Sequence, residues 1–371
     1  MRFPNFCTPW KIIPISNLLQ FQNGINGSPE QYGKGVKFIS VGDILNNIYI
    51  TYDNIKGLID IDEKTLYSYS VTYGDILFQR SSEIIDDIGR TNVYLDKNNI
   101  ATFGGFVIRG KKIGQYNPVF FNYLLKSPSS RKSIIRLGAG AQHYNIGQEN
   151  IKTLNFCFPD EIEQAKIACL FSKIDERIQT QSKIISDYKT LKKGINYFLI
   201  GRYTPNTFIS ECLKCNTSSL KESEIIDENL GMFPVYGANG IIKNINTYMM
   251  DSSSISIVKD GAGAGRLNYL SGKYSFIGTL NCFTIKKGYN LKYIYYALEN
   301  INFNRYIVGS GIPHVYYNDF KQEKIYIPAD TKEIDKIEKC LSSIDSVIEL
   351  ETKKLSKLTL QKKYLINNMF I

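Results

Sequence analysis

An apolar stripe with coiled-coil spacing occurs twice in these 371 residues, 170 positions apart. In the first stretch it falls on Ile167, Phe171, Ile174, Ile178, Ile185, Tyr188, Ile195 and Leu199. In the second it falls on Ile337, Leu341, Ile344, Ile348, Leu355, Leu358, Leu365 and Met369. The alternating four-and-three spacing is that of an a/d seam, and both stripes are interrupted at the same two places, Gln181 and Lys192 in one, Glu351 and Lys362 in the other. Each seam would run for roughly 45 Å at about 1.5 Å per residue. A small domain cannot cover such a stripe along its whole length, so the two helices are expected to cover each other. The second globular part must begin where the first helix ends, and the second helix can then return. The expected pairing is therefore antiparallel, with an approximate two-fold relating the halves; two independent helical caps are the plainer alternative.

The repetition extends beyond the helices, and repeats are the first thing to look for in a chain of this length. Asp175 in Leu170-Phe-Ser-Lys-Ile-Asp matches Asp345 in Cys340-Leu-Ser-Ser-Ile-Asp, and Lys192-Lys193 match Lys362-Lys363. Upstream, an offset of 171 aligns Gly138-Ala-Gly140-Ala-Gln142-His143 with Gly309-Ser-Gly311-Ile-Pro313-His314. The two histidines of the chain thus fall on matching positions, which favours a shared structural turn over a pair of DNA contacts. Neither is accompanied by the carboxylate pair or nucleophile that catalysis would require.

The outline is α+β: mixed α/β domains over residues 1–158 and 205–328, and helices over 159–204 and 329–371. Strand-like alternation occurs at Val36–Ser40, Asp75–Phe78 and Phe106–Ile108, then at Ser254–Val258 and Cys282–Ile285. The formal charge is +10, while residues 160–200 and 329–371 each carry only +1, leaving +8 on the globular parts. A polyanion, if bound, would meet the domains rather than the helices. Seven scattered cysteines fit reduced thiols in the cytoplasm, and no run of 18 apolar residues suggests a membrane span or signal peptide.

Local motifs are weaker guides. Lys259-Asp260-Gly-Ala-Gly-Ala-Gly265-Arg266 resembles a phosphate cradle but lacks the P-loop ending, so a tight loop between strands is the simpler reading. Such a loop can still present Arg266 and backbone N–H groups to a DNA phosphate, and Gly89-Arg90 is the candidate counterpart in the first copy. Cys212-x-x-Cys215 has no second pair for zinc, and the acidic run from Glu83 to Asp87 reads as a solvated loop. Catalytic, cofactor and metal residues are not expected. Candidate DNA contacts are Gln79, Arg80, Arg90, His143, Asn239, Lys259, Arg266 and His314, residue types that can hydrogen-bond base edges or phosphates.

Phe158-Pro-Asp-Glu-Ile-Glu-Gln-Ala-Lys-Ile-Ala168 with Ile174-Asp175 and Leu191-Lys-Lys-Gly-Ile195 resembles the spacer helix of type I restriction-modification specificity subunits. Phe233-Pro-Val-Tyr-Gly-Ala-Asn-Gly-Ile-Ile242 and Ser256-Ile-Val-Lys-Asp-Gly261 are similar to segments of that family's target recognition domains. The second helix departs from the pattern, since Glu333 is followed by Ile334 where the family has Gln. The resemblance implies a non-catalytic reader of a bipartite double-stranded DNA target. Two modification subunits and the restriction subunits would bring S-adenosylmethionine, ATP and Mg. A tandem-domain structural adaptor for proteins is the reading from another class; a self-contained DNA methyltransferase would need a catalytic motif that the sequence does not display.

Overall fold

The computed structural model describes residues 2–140, 143–225 and 231–370. It consists of two α/β domains linked by two long helices that pack together. The chain divides into two compact units, residues 1–182 with 353–371 and residues 183–352, so that each unit contains part of both helices.

In the first unit, strands β1 (Leu19–Asn23), β2 (Ile76–Gln79), β3 (Thr91–Val93) and β4 (Val107–Lys112) form an antiparallel sheet in the order β1-β4-β2-β3. A second sheet places Tyr32–Ile39 between Gly57–Ile59, antiparallel, and Thr102–Phe103, parallel. Helix α1 (Pro118–Lys126) starts at Asn117, whose side chain accepts from the N–H groups of Val119 and Phe120. Its Phe120, Phe121, Leu124 and Leu125 are buried in the core with Phe78, Ile108, Phe156 and Phe158. The long helix α2 (Glu161–Asn196) follows Pro159, and Asp160 accepts the Glu163 N–H at 2.8 Å.

The second unit repeats this arrangement. Strands β5 (Leu213–Thr217), β6 (Ser254–Val258), β7 (Leu267–Leu270) and β8 (Leu280–Ile285) form an antiparallel sheet in the order β5-β8-β6-β7. Phe233–Gly237 lies between antiparallel Gly240–Ile245 and parallel Ser275–Phe276. Helix α3 (Leu291–Leu298) starts at Asn290, which accepts from Tyr293 N–H. Helix α4 (Thr331–Met369) starts at Asp330, whose carboxylate accepts from Lys332 N–H at 2.9 Å. Strands are present at each of the stretches expected, Val36–Ser40, Asp75–Phe78, Phe106–Ile108, Ser254–Val258 and Cys282–Ile285, though Ser40, Asp75 and Phe106 lie just outside them.

All sixteen seam residues are buried or half-buried. The ends of the seam serve the domains as well as the opposite helix. Ile167 and Phe171 of α2 enter the first core together with Met369 and Leu365 of α4. Ile337, Leu341 and Ile344 of α4 enter the second core with Ile195 of α2 and Leu199 of the π-helical turn Tyr197–Gly201 that continues it. Each core thus receives the start of one helix and the end of the other, as an antiparallel pair requires.

Two of the four polar interruptions, Lys192 and Lys362, also acquire a role. Lys362 of α4 reaches Asp175 of α2 at 2.5 Å, and Asp175 accepts the hydroxyl of Tyr123 on α1. In the second unit, Lys192 of α2 reaches Asp345 of α4 at 2.8 Å, and Asp345 accepts the Tyr296 hydroxyl of α3 at 2.7 Å. Burial pushes the Asp175 carboxyl above its ordinary value, while the hydrogen bond and charge of Lys362 pull it back. Removing one partner of such a pair leaves the other charge desolvated and unpaired. Asp175→Ala is therefore expected to lower stability by about 3 kcal/mol in urea unfolding, whereas the apolar pair Asp175→Leu with Lys362→Met should recover most of that loss.

Candidate nucleic-acid interface

The sheets place matching loops at matching backbone positions. In the first unit, Gln79 N–H bonds Arg90 O at 2.8 Å and Gly89 N–H bonds Gln79 O at 3.0 Å, closing the loop between β2 and β3. In the second, Val258 N–H bonds Arg266 O and Gly265 N–H bonds Val258 O, both at 2.9 Å, closing the loop between β6 and β7. Gly89-Arg90 and Gly265-Arg266 are therefore structural counterparts, and both glycines have positive φ, +62° and +86°. The residue after each strand is held alike. Arg80 N–H bonds Phe106 O while Arg80 O accepts from Ile146; Lys259 N–H bonds Thr279 O while Lys259 O accepts from Val315.

This register corrects the matching of the histidines. Asn145 exchanges both backbone hydrogen bonds with Ala139, and His314 does so with Val308. Asn145 lies opposite Ser81, and His314 opposite Asp260. The operative offset is thus 169 rather than 171, and the counterpart of His314 is Asn145. Positive-φ Gly140 then matches Gly309. The two side-chain pairs are also equivalent: Ser81 Oγ meets Asn145 Oδ1 at 2.5 Å, and Asp260 Oδ1 meets His314 Nδ1 at 2.7 Å. Gln142 lies outside the described residues, and His143 is exposed without sharing the pairing of His314.

The candidates divide by exposure. Arg90, Asn239 and Arg266 are exposed; Arg80, Lys259 and His314 are half-buried. Arg266 donates to Ala238 O and, at 3.4 Å, to Asn239 Oδ1, bringing two candidates together. Arg80 donates to Gly105 O at 3.2 Å, and Arg90 is held by Asp87 at 2.6 Å. Gln79 differs from expectation. It is 5% exposed, its amide donates to Ser81 O, and its counterpart is the fully buried Val258, so it supports the loop from within. Sequence reasoning did not find Asn145, which only strand pairing brings to the loops. It also missed Tyr316, half of which is exposed and whose ring stacks with His314 at 6.0 Å.

The remaining motifs do not build a reactive centre. Cys212 and Cys215 pack in the second core, and burial pushes both thiols up to about 11. Among the described residues there is no cluster of His, Cys, Asp and Glu able to hold a metal ion. Nor is any helix among them long and apolar enough to cross a membrane. The paired loops instead offer guanidinium, ammonium, amide and hydroxyl groups on fixed backbones, a donor-rich set suited to phosphates and base edges. A Cβ at position 89 would stand 2.4 Å from Ile134 Cγ2 as well as at positive φ. Gly89→Ala should therefore destabilise the first domain by about 1–3 kcal/mol, read as a lower thermal midpoint.

Residues 208–360 match the model of the type I restriction modification DNA specificity domain. Over 192 residues the chain is 25% identical to a specificity subunit of the type I restriction enzyme MjaX of Methanocaldococcus jannaschii, covering 50% of this chain and 44% of that protein. The chain thus spans about half the length of the curated relative it matches. The fold is similar to the crystal structure of the type I S subunit from M. genitalium, with TM-score 0.63 and 18% identity over 100% of this chain and 97% of the other. A chain from a structure describing complex assembly and conformational transition of the type I R-M system gives 0.57 and 10%, over 98% and 97%. The chain is therefore similar, over residues 208–360 in sequence and over its whole length in fold, to type I restriction-modification specificity subunits.

Proposed function

We propose that this chain reads a bipartite double-stranded DNA target, one half with each domain, as the non-catalytic specificity subunit of a type I restriction-modification complex. The observation that carries this reading is the exchange of side chains on a shared backbone. Arg80, Ser81 and Asn145 in one copy occupy the hydrogen-bonded positions of Lys259, Asp260 and His314 in the other. Two readers of different sequences need that combination of constant frame and variable donors. A protein-binding adaptor would not need two cation-bearing loop sets. The paired helices would act as the spacer, and two modification subunits would carry S-adenosylmethionine to the target adenines. Restriction subunits would supply ATP- and Mg-dependent cleavage in the cytoplasm. Arg80, Arg90, His143, Asn239, Lys259, Arg266 and His314 are the proposed DNA-facing set; Gln79 would support the first loop.

Base-resolution methylation mapping of the chain co-expressed with its modification subunit tests this. A two-part motif is expected, and replacing residues 1–158 by the domain of a relative should change one half alone. Methylation without a motif would overturn the reading. Inserting one heptad in each helix at matched positions should lengthen the gap between half-sites while leaving both halves readable. An unchanged gap would show that the helices do not set the spacing.

A further inference from the structure

The pseudo-repeat breaks at one position where charge matters. The caps Asn117 and Asn290 and the tyrosines Tyr123 and Tyr296 align α1 with α3, which places Lys126 opposite Glu299. In the second unit Glu299 accepts from Lys192 at 2.9 Å, so that this lysine has two carboxylates. In the first unit the equivalent Lys362 has Asp175, and the place of the second carboxylate is taken by another ammonium, Lys126.

Lys126 is half-buried and lines a cavity of about 340 Å³ with Arg90, Thr91, Arg131 and Asp86. Arg131 donates to the carbonyls of Asp86, Ile88 and Gly89, and Arg90 is tied to Asp87. No carboxylate or other acceptor pairs with Lys126 among the described residues. Burial, with Lys362 and Arg90 nearby, pushes its ammonium down to about 7. Thr91 is 4% exposed, and its hydroxyl has no protein partner. The counterpart of Thr91 is Leu267, which lines the corresponding cavity beside Glu299 in the second unit. One copy thus has an apolar side chain and an internal acid where the other has a hydroxyl and an uncompensated base.

We infer that the cavity formed by Lys126, Thr91, Arg90 and Arg131 is a phosphate site peculiar to the first domain. A phosphate would supply the negative charge that Glu299 supplies in the second copy. Its several oxygens can accept from an ammonium, a hydroxyl and a guanidinium together, which suits the mixed donors here. The group could be a backbone phosphodiester or free phosphate. Binding of free phosphate does not rest on the DNA reading above; only the DNA arm of the test does.

Thermal unfolding of the full chain should show a saturable rise with inorganic phosphate and none with acetate at the same ionic strength. Lys126→Glu, which installs the charge of the second copy, should abolish that rise; Lys126→Met should weaken it at least tenfold, and Thr91→Leu should weaken it less. Should Lys126→Glu fail to fold, Lys126→Met decides. Titration of duplex DNA against salt distinguishes the source. A slope lower by about one in Lys126→Met assigns the site to a backbone phosphate, and an unchanged slope with the phosphate response intact in the parent chain assigns it to free phosphate. An equal response to acetate, no response to phosphate, or a response that survives in Lys126→Met overturns the proposal. Failure of the parent chain to bind DNA would count against the reader function and leave the phosphate result standing.

Discussion

The crossed pairs Asp175–Lys362 and Lys192–Asp345 set the direction in which the two helices can meet. Because the stripes are copies, an in-register parallel pair would bring Asp175 beside Asp345 and Lys192 beside Lys362. Like charges would then be forced together in a half-buried seam. Antiparallel pairing converts both repulsions into attractions. A buried ion pair contributes little net stability, because desolvation offsets most of its Coulomb energy. Its value lies in discrimination: an all-apolar seam would accept either direction and several registers, while this one penalises each wrong choice. Tyr123 and Tyr296 extend the constraint by tying α1 and α3 to the same carboxylates. Pairing of the helices and docking of the domains are therefore one event energetically.

The paired loops depend on a different kind of contact. Their positions are fixed by backbone hydrogen bonds at Gln79, Arg80 and Ile146, and at Val258, Lys259 and Val315. Main-chain bonds of this kind do not care which side chain is present, so Arg80 can become Lys259 and Asn145 can become His314 without loss of the frame. The scaffold contacts have no such freedom, since Asp, Lys and Tyr must each supply a particular group. Similarity between the copies accordingly marks what holds the protein together, and dissimilarity marks what is free to be specific.

The same division governs what could be read from the sequence. The seam was legible because the helices keep one offset, 170, for their whole length, and few structures besides paired helices produce a 4-3 apolar spacing. The purpose of its interruptions was not legible, because Lys192 and Lys362 find their partners on the opposite helix. In the domains the offset drifts. Gln79 matches Val258 at 179, Arg90 matches Arg266 at 176, Asn117 matches Asn290 at 173, and Asn145 matches His314 at 169. Each step is a loop that differs in length between the copies; the one between β2 and β3, for instance, is three residues longer than its counterpart between β6 and β7. A comparison in which the offset shifts by a single residue therefore aligned the two histidines and missed the strand pairing that aligns Asn145 with His314. Gln79 was misjudged for a related reason: polarity alone does not tell the inward from the outward residue at the end of a strand.

The exchange of Glu299 for Lys126 lies where these two regimes meet. It touches the scaffold through Lys192 in one copy and through the neighbouring charge of Lys362 in the other. It also adjoins the paired loops, through Arg90 in the first copy and Gly265 in the second. A substitution confined to the scaffold would have been expected to preserve the acid, since losing it leaves one lysine with a single partner and adds a second ammonium beside it. Keeping a lysine there places an electrostatic cost on the free protein that an incoming anion can relieve. The same exchange on a solvated surface would be nearly neutral, because water screens each charge separately. Burial beside the seam is what makes the position sensitive, and it couples the occupancy of the cavity to the stability of the first domain.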